Sequence, residues 1–191
     1  TTLWSERLAC WQYWIMLLGV AIMVSHFWIG HHEGLAFGAG LVLVAVTLFL
    51  VNMGRTLWQL PHWDIGGRHM AAALVYLAST VIMGNLMALD KIFDFLGGQV
   101  LSTIHAHAHL AGIGWVTMMI FGASYKLIPM FSLSELRDER LAYWEFWLLQ
   151  VGLAIQRPDQ PGEEAPSQPL HLAAQGKAEA LPHVENNQNE H

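Results

Sequence analysis

Thr103-Ile-His105-Ala-His107-Ala-His109-Leu-Ala-Gly-Ile-Gly-Trp-Val-Thr-Met-Met-Ile-Phe-Gly-Ala-Ser-Tyr125 contains no Asp, Glu, Lys or Arg. As a helix it is long enough to cross a bilayer, which takes about 20 apolar residues. Its first turns nevertheless carry His105, His107 and His109, alternating with alanine. Ionisable side chains inside a transmembrane helix are costly and mark function by default. Imidazole ligates haem iron, copper and zinc, so the stretch reads as a membrane span that holds a metal or a metal-bearing cofactor.

The rest of the chain agrees with a membrane body. Only 13% of the 191 residues are charged and 54% are hydrophobic, whereas a soluble domain carries about 25% charged residues. The net charge of −6 misleads about partners, because the segment from Arg157 onward holds six acidic residues against two basic ones. The body is close to neutral, and nothing in it suggests nucleic-acid binding. Cys10 is alone, which excludes an intrachain disulfide and a cysteine-based metal motif. No cleavable signal peptide is apparent, since the first apolar run is too long and lacks a basic leader.

Hydropathy places spans at about 8–29, 35–51, 69–89 and 103–125, with a shorter fifth at 141–155 that carries Glu145. A polar turn, His31-His32-Glu33-Gly34, separates the first two spans. A loop from Gly54 to Arg68, containing Trp58, Pro61 and Trp63, separates the second and third. Ser132-x-x-Glu135 offers a capping box. The expected fold is all-α: a polytopic transmembrane bundle of four to five spans over residues 1–156. Residues 157–191, rich in Pro, Gln, Glu, Ala and Asn, are expected to form a disordered polar tail. A helix giving way abruptly to such a tail at Arg157-Pro158 suggests a truncated reading of a longer protein.

Lys and Arg in short loops set orientation. Arg7, Arg55, Arg68, Lys126, Arg137 and Arg140 fall on one side, and Lys91 on the other, joined by Arg157 if the fifth span crosses. The expectation is therefore a multi-pass protein of the cytoplasmic membrane with its N-terminus in the cytoplasm. The triple histidine then sits near the outer surface, and His26, in the last turn of the first span, reaches the same level.

On an ideal helix His105 and His109 are about 40° apart, while His107 points about 200° from His105. One helix can thus present a pair on one face and a single ligand on the other. On 3.6-residue spacing Ala111 and Gly114 lie below His107, and Ala108 and Gly112 below His105 and His109. Small residues there leave room for a flat macrocycle, and they equally permit close helix packing. His26 is the best partner candidate in another span. His69, beside Arg68, reads as an ordinary interfacial residue, His31, His32 and His62 as solvated loop residues, and His171, His183 and His191 as part of the tail.

The segment from His105 to Phe131, ending in Gly122-Ala-Ser-Tyr125-Lys-Leu127-Ile-Pro129, resembles the second core helix of haem–copper oxidase subunit I. It is closest to the cbb-type oxidases and the nitric oxide reductases. The resemblance implies a low-spin haem b whose axial ligand is His107, or His109 on a shift of two residues. The second ligand would come from His26, from Met83 or Met87, or from a partner chain. No later helix supplies the second low-spin ligand, the high-spin haem ligand or the copper-ligand helix, so the resemblance implies only part of an oxidase-like or reductase-like oxidoreductase. It is placed in spans three and four, and it implies respiratory electron transfer alongside other membrane subunits or the remainder of subunit I.

Two other readings stand beside it. His105, His109 and His26, with Glu33 or Asp94, could bind copper or zinc at the outer surface, where carboxylates beside imidazoles suit zinc or Cu(II). Alternatively, the histidines bridge helices in a structural membrane subunit without a cofactor.

Overall fold

A computed structural model of the chain describes residues 3–133 and 139–155, all within one compact unit, Thr1–Asp159. The expected tail lies outside the described residues, as does most of the polar segment around Glu135. The described residues form helices and no strands: α1 Glu6–Ile29, α2 His32–Trp58, α3 Ile65–Phe93, α4 Val100–His109, α5 Met118–Ser132 and α6 Glu139–Ile155. A π-helical stretch, Leu110–Thr117, joins α4 to α5. Val100–Ser132 is thereby one continuous span, and with α1, α2 and α3 it makes four helices long and apolar enough to cross a membrane. The expected all-α bundle of a multi-pass membrane protein is what forms. At 17 residues, α6 stays shorter than a typical crossing.

Capping chemistry sets the ends. The Ser5 side chain accepts from the Leu8 amide at 3.3 Å and opens α1. Gly30, at φ 71°, turns left-handed and closes it, with the His31 amide reaching back to His26 O at 3.0 Å. The His31 ring then accepts from the Gly34 amide at 3.1 Å and starts α2. His32, Glu33 and Gly34 are therefore the first turn of α2 rather than part of the turn the sequence suggests. Likewise α2 continues through Gly54 to Trp58, and Asp64 caps α3 by accepting from the Gly67 amide at 2.7 Å. The expected loop from Gly54 to Arg68 shrinks to residues 59–64.

The helices pack largely in chain order, α1 on α2, α2 on α3, and α3 on the long span and α6. Glycines let backbones meet. A Cβ on Gly38 would lie 2.6 Å from the Met23 amide nitrogen, and one on Gly19 would lie 3.0 Å from Leu41 Cβ, so α1 and α2 cross at this pair. Gly34 lies so close under the His26 ring that no Cβ fits. The outward faces carry large exposed apolar residues such as Trp28, Phe93 and Phe131, the surface that lipid covers.

Candidate functional site

The first element of the site is the seam between α3 and the long span, which run antiparallel. Three contacts fix its register. A Cβ on Gly84 would lie 3.0 Å from His107 Cε1, one on Gly114 would lie 2.7 Å from Tyr76 Cγ, and one on Gly122 would lie 3.0 Å from Gly66 O. His107 thus stands in a row with Gly114, the fully buried Met118 and Gly122, all packed toward α3. Its ring is half-buried, and its Nδ1 is buried without a hydrogen-bond partner.

His109 points elsewhere. It is exposed, and its Nδ1 donates to the His105 carbonyl at 2.9 Å. A carbonyl only accepts, so Nδ1 carries the proton and Nε2 keeps its lone pair in the neutral ring. Metal-binding histidines have this arrangement, a carbonyl fixing the tautomer and the ring. His109 lines a groove of about 390 Å³ with Ile113 on its own side and Leu148, Leu149, Gly152 and Leu153 on α6. A Cβ on Gly112 would meet nothing within 4 Å. The wall is apolar and open, which suits the face of a macrocycle.

Below His109 the 3.6-residue arithmetic stops holding. The backbone there is π-helical from Leu110 to Thr117, and Thr117 Oγ1 donates five residues back, to Gly112 O at 2.9 Å. Gly114 nevertheless stays on the His107 side, as expected, in packing contact with Tyr76, and Gly112 faces open space. A π-helical turn is uncommon and is frequently found at functional sites.

The remaining expected participants are dispersed. His26 donates from Nδ1 to Ile22 O at 2.9 Å, and its ring is 5.4 Å from that of His31. It belongs to the α1–α2 turn, and α1 packs chiefly on α2. His105 is exposed. Nearby, Asp90 is buried and accepts from the Leu96 amide at 2.6 Å, so it shapes the turn into α4. Glu33 and Asp94 are exposed at helix ends. Among the described residues no group of three or more His, Cys, Asp or Glu side chains is gathered as a metal ion needs.

One cluster escaped the sequence reading. His69, expected at an interface, is 0% exposed. Its Nδ1 donates to Ile65 O at 2.8 Å, and its Nε2 lies 3.0 Å from Glu145 Oε2. Tyr125 donates its hydroxyl to the same oxygen at 3.0 Å. The rings of Phe146, Tyr125 and Phe121 surround the imidazole at 4.9, 5.3 and 6.3 Å. Farther along the same two helices, the Tyr76 hydroxyl donates to Gln150. The one available signal was Glu145, a carboxylate interrupting an otherwise apolar run.

Residues 98–156 match the family model described as cytochrome C and quinol oxidase polypeptide I. Over 168 residues the chain is 26% identical to the cbb3-type cytochrome c oxidase subunit CcoN1 of Stutzerimonas stutzeri, covering 80% of this chain and 34% of that protein. It is 25% identical to a cytochrome c oxidase subunit 1 homolog of Agrobacterium tumefaciens, and 24% identical to cytochrome c oxidase subunit 1 of Rhodobacter capsulatus, covering 80% of this chain and 30% of each relative. The chain therefore spans about a third of the length of these relatives. No solved structure matches it. The similarity to haem–copper oxidase subunit I expected from residues 105–131 is found, and it extends well beyond the two spans first assigned to it.

Proposed function

We propose that this chain is part of the haem-bearing membrane body of a respiratory oxidoreductase, and that His109 is the residue presented to a haem b iron. The observation that carries the reading is the state of His109: Nδ1 is committed to the His105 carbonyl and Nε2 remains at an apolar groove. His107, the first choice from the motif, serves the seam with α3, where its ring fills the space over Gly84. The two-residue shift that the motif allows thus favours His109. When bound, a low-spin haem supplies one-electron transfer, and its potential is governed by ligand identity and burial.

The chain's own residues orient the ligand and line its groove with apolar side chains. The His105 carbonyl holds the His109 ring by one hydrogen bond, the π-helical stretch opens the backbone beneath it, and the leucines of α6 wall the groove. A partner chain would supply any further ligand, since His26 sits at the α1–α2 turn and Met83 and Met87 lie beside Gly84, on the helix that His107 packs against. The protein lies in the cytoplasmic membrane with its N-terminus inside and assembles with further membrane subunits or helices.

The test is the reduced-minus-oxidised spectrum of membranes carrying the chain with its natural partners. The Soret band should persist in His105→Ala and His107→Ala and vanish in His109→Ala. Dependence on His107 alone would return the assignment to the motif's first choice. No haem band in any variant or in the wild type would remove the reading altogether.

A further inference from the structure

The unassigned cluster where α6 meets α3 and α5 contains a hydrogen-bonding constraint. Nδ1 of His69 is 2.8 Å from the Ile65 carbonyl, which can only accept, so Nδ1 bears a hydrogen. If the imidazole is neutral, Nε2 is then a bare lone pair. Across 3.0 Å it faces Glu145 Oε2, which in an ionised carboxylate is also only an acceptor. Two acceptors at that separation repel, and His69 is wholly buried. Tyr125 cannot relieve the conflict, because its single hydroxyl hydrogen is donated to the same Oε2.

We propose that His69 and Glu145 form a buried proton-binding site that latches α6 to α3. One proton lies between Nε2 and Oε2. It belongs either to an imidazolium donating to a carboxylate, or to a carboxylic acid donating to a neutral imidazole. In both forms the pair is electrically neutral, the Ile65 bond is kept, and Oε2 still accepts from Tyr125. Removing the proton leaves a net negative pair beside the rings of Phe121 and Phe146, a costly state when the imidazole is wholly buried and the carboxylate half-buried. Glu145 Oε1 is buried without a partner, one acceptor position open to an incoming donor.

Among the described residues, two neighbouring cations are engaged elsewhere. Beside the site on α3, Arg68 lies over the Tyr143 ring at 5.3 Å. Lys126 of α5 is 3.5 Å from Asp64 at the start of α3. Arg140, in the first turn of α6, is exposed. The proposal does not depend on the haem reading, since it uses no atom of His105, His107 or His109.

The full chain in lipid nanodiscs, labelled with ¹⁵N-histidine, tests it at about pH 8, where a free imidazole is largely neutral and a free carboxyl ionised. One of two signatures is expected in the wild type. Either an imidazolium resonance is present and disappears in His69→Gln, or an infrared band of a protonated carboxyl is present and disappears in Glu145→Gln. Glu145→Gln should keep α6 docked, because an amide nitrogen at the Oε2 position donates one hydrogen to Nε2 and the other to the Tyr125 hydroxyl oxygen, which turns from donor to acceptor. His69→Gln serves the assignment if Glu145→Gln does not fold. A wild type showing neither signature, with neutral His69 beside ionised Glu145, overturns the proposal.

Discussion

His107 and Gly84 are in direct register across the seam between α4 and α3, with a Cβ on Gly84 falling 3.0 Å from the imidazole Cε1. The ring occupies the place a side chain on α3 would take. Gly84→Leu should therefore push α3 and α4 apart at this level and destabilise the bundle by about 1–3 kcal/mol, the usual cost of overpacking. Denaturation in mild detergent, followed by tryptophan fluorescence, measures it. If stability does not change, His107 does not pack as described.

The glycines of the π-helical stretch should separate cleanly. A Cβ on Gly112 has open space, whereas one on Gly114 would lie 2.7 Å from Tyr76 Cγ. Gly112→Ala should leave stability within about 0.5 kcal/mol of wild type, as surface substitutions generally do. Gly114→Ala must displace the Tyr76 ring and strain its hydroxyl bond to Gln150, a loss of about 1–3 kcal/mol. Equal effects at the two positions would mean that the long span is rotated from this orientation.

The difference between these glycines marks how far the sequence could be read. Four long helices follow from composition, because the absence of charge over some twenty residues needs no partner to interpret. The direction of each histidine does not follow in the same way. His105 and His109 share a face as ideal geometry requires, but Gly112 and Gly114 lie beyond a change of helical pitch that no residue pattern announces. His69 looked interfacial because it stands beside Arg68 at the expected start of the third span. Its burial is decided by Glu145, which α6 delivers from 76 residues away.

Orientation rests on the positive-inside bias and is directly testable. With Cys10, which is exposed, replaced by serine, single cysteines at Gln59 and Asp94 lie in the two connections that flank α3. Asp94→Cys should react with an impermeant thiol reagent added to intact cells, and Gln59→Cys should react only after the membrane is opened. The reverse pattern would invert the bundle and put the groove at His109 on the cytoplasmic side.

Asn52 supplies the most specific tether in the first hairpin, and its removal should be felt at the start of α1. It is 1% exposed on α2. Its Oδ1 accepts from the Ser5 amide at 3.0 Å, and its Nδ2 donates to the Ser5 carbonyl at 3.0 Å. Beside it, Thr56 Oγ1 accepts from the Trp4 amide at 3.1 Å in an exposed position. Asn52→Leu keeps the volume but strips the Ser5 amide of its partner, which costs about 1–3 kcal/mol for a buried donor. Asn52→Asp should do as much damage by a different route, because the new oxygen faces the Ser5 carbonyl and two acceptors meet. Thr56→Val removes a bond that water can replace, so its effect should be the smallest of the three. Hydrogen exchange at the Ser5 amide gives the readout. It should accelerate strongly in both Asn52 variants and little in Thr56→Val, and an unchanged rate in Asn52→Leu would show that water, rather than Asn52, holds the entrance to α1.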